Sequence, residues 1–356
     1  MALAESSTRS AAGAAMGEWL QRIHPAWALV ALILVIMPAI ANGFVLVQIF
    51  GWSFMLGTIA LSLMFLAGYG GMVSLAQMTI AGFAGYMVAI FGVSGLATLS
   101  IGWPWWLATP MALVLAMISG AIIGALAVRT EGIYTIMITL AIAAAFFYFT
   151  NENYALFNGH TGINSVPTPQ FLGVDWKDAI PFYYLTLGVA VLCCWAVAYV
   201  GRAPFGLALQ GIRDNPRRMA ALGFNVYAHR VAAYVFAALI AGLGGVLLVW
   251  SNGEIAPGTV SVSAAIDILV IAVVGGIANP IGPFIGALIY AVLKTFAQDF
   301  LVAVGLDGNR FRLLIGLGFL AIVLFSPDGV LGLWARWRNR MRSGATRRQK
   351  QGGGHG

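Results

Sequence analysis

Apolar residues fill this chain in blocks of about membrane-spanning length, separated by short polar or Gly/Pro-rich stretches. The blocks fall at residues 27–49, 51–66, 74–91, 104–128, 133–149, 180–200, 231–250, 260–277, 281–304 and 311–325. Each approaches the ~20 residues needed to cross hydrocarbon as a helix. The eighth is marginal, and Gly275-Gly276 predicts a broken or re-entrant segment there. Between blocks, Gly68-Tyr-Gly-Gly71 predicts a turn, and 93–103 a Gly/Ser/Thr loop before Pro104. The longest loop, 150–178, holds Gly162, Pro167 and Pro169, all hostile to a helix. The pattern predicts an all-α, polytopic membrane protein with about ten transmembrane or re-entrant helices.

Composition agrees with the pattern. The chain is 60% hydrophobic and 9% charged, whereas a soluble domain carries roughly 25% charged residues. Its 44 glycines suit close helix packing in lipid. Pro38-Ala-Ile-Ala41 has the small-residue form of a signal-cleavage site, but the long leader before the first block favours a retained helix. Cys193 and Cys194 are adjacent in an apolar run, where neighbouring cysteines rarely bridge, and they are assigned no redox role.

One stretch breaks the apolar pattern. Residues 201–230 carry Arg202, Arg213, Arg217, Arg218 and Arg230 against a single acid, Asp214. A small helix signal lies inside it. Asp214 or Asn215 can cap it, Pro216 suits its first turn, and Gly223 supplies a left-handed stop. About two turns long, such a helix cannot stand alone in water. A soluble partner holding it at the membrane surface is the expectation, with Met219 and Leu222 as apolar contacts and Arg213, Arg217 and Arg218 pairing with acids. The plainer alternative is that these arginines fix topology or touch anionic lipid.

Basic residues set the orientation. With the N-terminus inside and the blocks alternating, 15 of the 19 lysines and arginines lie in cytoplasmic segments, leaving Lys177, Lys294, Arg310 and Arg312. Both termini and the arginine island are then cytoplasmic. The domain reading is a lead-in at 1–26, a permease domain at 27–335 with a coupling loop at 201–230, and a basic tail at 336–356. The net charge of +7 is spent on topology and lipid, so no nucleic-acid partner is expected.

Catalytic chemistry finds little support. No Gly-x-x-x-x-Gly-Lys-Ser/Thr run occurs, so no phosphate-binding loop is present. The four histidines (His24, His160, His229, His355) are scattered, giving no metal-ligand spacing and no catalytic set. Polar groups within the blocks mark a candidate path instead: Gln77, Thr79, Asp267 and Lys294. Asp267 and Lys294 can equally form a structural pair, and Lys294 can snorkel.

Four motifs in series carry a family resemblance. They are Gly68-Tyr69-Gly70-Gly71-Met72-Val73-Ser74-Leu75 followed by Phe83-Ala-Gly-Tyr86; Gly201-Arg202, Ile212-Arg213-Asp214 and Ala220-Ala-Leu-Gly223-Phe224-Asn225; Val274-Gly275-Gly276, Gly282-Pro283 and Gly286-Ala287; and Pro327-Asp-Gly329-Val-Leu-Gly332. In that order they resemble the permease subunits of ABC importers for branched-chain amino acids, over residues 45–335. Ala76-Gln77 stands where that family has Gly-His. The resemblance implies a membrane pore shared with a sister permease, expected as a heterodimer, two ATP-binding subunits and an external (periplasmic or extracellular) substrate-binding protein. It implies no cofactor on this chain, ATP and Mg belonging to the partner ATPase, and a place in the cell (inner) membrane. Permeases for urea and short amides share the motifs. A secondary transporter or channel is the alternative from another class.

Overall fold

The computed structural model of the chain describes residues 25–95, 100–171 and 174–303. Residues 1–24 of the expected lead-in, the block at 311–325, the motif at 327–332 and the basic tail lie outside the described residues, and the last two lead-in residues, Pro25 and Ala26, already belong to the first helix. Eleven helices organise what is described. They are α1 (Pro25–Ile40), α2 (Val45–Tyr69), α3 (Gln77–Phe91), α4 (Trp105–Ala127), α5 (Ile133–Glu152), α6 (Ala179–Arg202), α7 (Pro204–Asp214), α8 (Pro216–Ala221), α9 (Val226–Asn252), α10 (Val262–Gly275) and α11 (Gly282–Ala303). Among the described residues α2, α4, α5, α6 and α9 are long and apolar enough to cross a membrane. The all-α, polytopic class holds, and the strands among the described residues are two-residue pairs in the loops.

Two boundaries differ from the sequence pattern. The first and second blocks do not divide at residue 50. The break falls at Ala41-Asn42, and α2 continues through Gly51 with a π-helical turn at each end. Hydropathy is blind to this break because apolar residues flank it on both sides. In the arginine island, the sequence pattern showed one helix and the structure has two, α7 preceding α8. α7 is amphipathic: Ala208, Leu209 and Ile212 are buried, while Leu207 and Arg213 are exposed.

α2 and α9 form the centre. Over their most apolar windows α2 is 89% and α9 67% buried, against 22% for α5, so α5 sits at the periphery. α9 packs along α2, α3 and α4, and α11 packs along α2. The polar side chains inside α2 are satisfied locally. Thr58 Oγ1 donates to the Phe54 carbonyl at 2.7 Å, and Ser62 Oγ to that of Ile59 at 2.6 Å. α10 and α11 pack closely because Gly275, Gly282 and Gly286 bring backbone against backbone, leaving no room for a Cβ.

The loops gather at two ends, as alternating spans require. At one end Ile163 and Asn164 pair antiparallel with Ile255 and Glu254. The Gly95 amide there donates to the Asn164 carbonyl at 3.0 Å, and the Val166 amide to Gly253 at 2.9 Å. At the other end the Tyr227 hydroxyl donates to the Ala125 carbonyl at 3.1 Å, and Arg213 reaches Gly68.

α3 and α10 have 15 and 14 residues, about 22 and 21 Å long, which is short of the ~30 Å hydrocarbon layer. Each follows a long helix and a loop, α2 before α3 and α9 before α10. They start from opposite ends, α3 at the arginine-rich end and α10 at the other. The loops dip inward: the Leu75 amide donates to Thr139 Oγ1 at 3.1 Å, and buried Val260 packs on Gly82 of α3. Short helices at corresponding places of two opposed units mark the interior of many transporters.

Candidate functional site

α8 is defined by its caps. Asn215, rather than Asp214, supplies the N-cap, its Oδ1 accepting from the Arg218 amide at 3.0 Å, with Pro216 at the first position. At the other end Gly223 has φ +90°, closed to ordinary L-residues. The Phe224 amide returns to the Met219 carbonyl at 3.1 Å and the Gly223 amide to Ala220 at 3.0 Å. This is a Schellman closure. Asn225 then caps α9 through the Ala228 amide at 3.0 Å. Six residues are thus held as a helix by side-chain and turn bonds at both ends.

The faces of α8 divide. Met219 is half-buried against Gly211 of α7. Arg217, Arg218 and Leu222 are exposed, Leu222 to 67%, and beside them so is Phe224. Leu207 and Phe224, which sequence reasoning did not single out, therefore join Leu222 as uncovered apolar groups on this end. The amphipathic spacing of α7 was the signal for Leu207.

Arg213 does something else. Its Nη1 donates to the Gly68 carbonyl, and its Nε and Nη2 contact Asp214 Oδ1 at 3.0 Å. Its stem lies on Gly71, where φ is +66° and a side chain would collide with it. Arg213 and Asp214 bind the island to the Gly68–Gly71 turn. The two motifs, 145 residues apart, meet at one guanidinium.

The four path candidates separate into two places. Asp267 and Lys294 line one cavity of about 300 Å³, together with Trp52, Tyr290, Ser261 and Ser263. Tyr290 Oη donates to Asp267 Oδ2 at 2.9 Å, and Lys294 Nζ sits 5.0 Å from the centre of the Trp52 ring. Gln77 and Thr79 are buried at the start of α3, outside this lining. Gln77 Oε1 accepts from Ser62 Oγ at 3.0 Å, while its Nε2 and Thr79 Oγ1 have no partner among the described residues. Tyr290 and Trp52 escaped sequence reasoning. The four-residue spacings Ser263–Asp267 and Tyr290–Lys294 were the available signal.

Helices long and apolar enough to cross a membrane around a cavity holding Asp267 and Lys294 fit a membrane transport protein. The chain belongs to the family described as branched-chain amino acid transport system / permease component, whose model matches residues 45–323. It is 22% identical over 304 residues to the high-affinity branched-chain amino acid transport system permease protein LivM of Escherichia coli (strain K12), covering 79% of this chain and 69% of that one. It is also similar to the nucleoside ABC transporter permease protein NupC of Lactococcus lactis subsp. cremoris (26% over 249 residues; 64% and 74% of the two chains). A third relative is the fructose import permease protein FrcC of Rhizobium meliloti (27% over 348 residues; 92% and 93%). No solved structure matches the chain.

Proposed function

We propose that this chain is the membrane-spanning subunit of an ATP-binding-cassette importer and forms a translocation path for branched-chain amino acids. It works in the inner cell membrane beside a sister permease. Two separate ATP-binding subunits carry ATP and Mg and hydrolyse the nucleotide, and an external binding protein delivers the cargo. The observation that carries this reading is α8, capped at both ends with an arginine- and leucine-bearing face uncovered. A helix this short is marginal by itself in water, and its caps and its packing on α7 hold its exposed face in one orientation.

The mechanism follows from what α8 touches. Closure of the ATP-binding subunits moves α8, and Met219 passes the motion to α7 through Gly211. Arg213 passes it to the end of α2 through the Gly68 carbonyl. α2 is the central helix and walls the cavity through Trp52 and Leu56. Displacing its lower end re-poses the interior toward one face or the other. The work is a two-state conformational cycle driven by differential binding of nucleotide to the partner.

The test is uptake of leucine, isoleucine and valine by proteoliposomes holding the complete complex. Uptake is expected to require ATP and the binding protein, and vanadate should abolish it. Vanadate-resistant uptake driven by an ion gradient would establish a secondary transporter instead. Uptake of urea or short amides without leucine would move the cargo within the family.

A further inference from the structure

We propose that the π-helical turn Phe65–Tyr69, at the arginine-side end of α2, is a joint. Through Gly68 it works the hairpin between α10 and α11, residues 276–281, as an inner gate of the cavity. The inference rests on the import reading above and adds to it a moving part and the place where it acts.

The joint is visible in the hydrogen-bond ladder. An α-helix bonds each amide to the carbonyl four residues back and a π-turn to the one five back, so a π-turn carries a surplus residue. Phe65–Tyr69 is such a turn, and the ladder does not settle beyond it. The Gly71 amide donates to the Ala67 carbonyl, four back, at 3.2 Å, and the Met72 amide to that of Leu66, six back, at 3.0 Å. Residues 65–72 therefore hold three ladder spacings side by side. Passing from one spacing to another exchanges a hydrogen bond and loses none, so no buried backbone group is stranded. Turns of this kind inside α-helices are frequent at functional sites.

α6, α7 and the hairpin converge on the joint. Tyr69 lies on Gly201 at the end of α6, Gly70 faces Leu209 of α7, and the Arg213 stem covers Gly71. The hairpin meets Gly68, where a methyl group would come within 2.6 Å of the Ile277 carbonyl oxygen. Gly68 also gives its own carbonyl to Arg213. One residue thus touches α7 through its oxygen and the hairpin through its Cα. It has no side chain to absorb a displacement, and close-packed contacts transmit strain.

The hairpin stands where it can close the cavity. On α10 the lining runs from Ser263 to Ile271, and on α11 it includes Tyr290 and Lys294. Toward the arginine side of these residues the two helices touch backbone to backbone, Gly275 on Gly282 and Gly286 on the Ile271 carbonyl. No space remains along that seam. The hairpin caps it, with Ala278, Asn279 and Pro280 exposed. Parting the pair from this end joins the cavity to the side where the arginine island lies.

The test uses the full chain assembled in lipid nanodiscs with a sister permease and ATP-binding subunits that lack reactive cysteines. Cys193 and Cys194 are replaced by alanine. An Ala278→Cys reporter on the hairpin is modified with an impermeant maleimide in the resting complex and after trapping with ATP and vanadate. For a hairpin with two arrangements, the rate is expected to change about fivefold or more between these states. Gly68→Ala drives a methyl against the Ile277 carbonyl, and deletion of Ala67 removes the surplus residue; each should abolish the change. Gly188→Ala, whose methyl meets open space on α6, should leave it intact. Equal rates in the two states overturn the inference, as does a full change that survives both joint variants. The comparison of states needs only the Ala278→Cys reporter, so it stands even if a joint variant fails to fold. A Leu222→Cys reporter on α8 and uptake by proteoliposomes are measured alongside. A response at 222 with none at 278 sinks the joint and leaves the import reading intact. No response at either, with uptake that vanadate does not touch, sinks both.

Discussion

Arg213 donates to the Gly68 carbonyl and to Asp214, and its stem covers Gly71. Its two partners differ in weight. The Asp214 pair is 42% and 67% exposed, and such surface pairs contribute about 0–1 kcal/mol. The bond to Gly68 satisfies an end-of-helix carbonyl that α2 itself leaves open, and charge-assisted bonds contribute roughly 1.5–3 kcal/mol. Asp214→Asn is therefore expected to keep most uptake, while Arg213→Ala should lower ATP-coupled uptake several-fold at equal membrane expression. Equal rates in the two variants would show that the Gly68 contact transmits nothing. At Gly223 the positive φ makes a β-branched side chain costly, roughly 1–2 kcal/mol. Gly223→Val should lose stimulation of the partner ATPase while inserting normally, read by ATPase assay and membrane quantitation.

At the scale of elements, α8 is the piece whose stability is most easily removed. Its cap bond from Asn215 is worth about 0.5–2 kcal/mol, a large share of what a six-residue helix has. Asn215→Ala should weaken coupling, and Met219→Asp should weaken it further by placing a charge against Gly211. Both are checked by the ratio of amino acid imported to ATP hydrolysed, which falls if α8 is the handle and stays constant if it only fixes topology. The caps of α8 were legible from the sequence because capping depends on residues adjacent in the chain. α7 was missed because its alternating faces lie between arginines that drew the pattern toward a polar loop. The break at Ala41-Asn42 was missed because no polar residue run marks it.

For the whole molecule, the described loops sort to two ends by observed contacts, and the arginine island lies at one of them. In a background lacking Cys193 and Cys194, a cysteine at Leu222 is expected to react with an impermeant reagent only from the cytoplasmic face. A cysteine at Glu254 should react only from outside. Labelling of position 222 from outside would invert the protein and remove the basis for a cytoplasmic motor. The opposed α2–α3 and α9–α10 units also belong to this scale. Neither short helix crosses by itself, and each is completed by a loop that enters the interior.

The sequence by itself determined the number and character of the apolar blocks, the basic side, the capped helix and the family motifs. These are local or additive properties, since transfer free energy, charge placement and capping are written in neighbouring residues. Only tertiary structure decided that Arg213 rests on Gly68, that Asp267 and Lys294 share a cavity, and that Gln77 and Thr79 do not line it. Within an apolar bundle every helix face has similar hydropathy. Which faces meet is settled by steric fit between distant segments, as where glycine backbones of α10 and α11 come into contact.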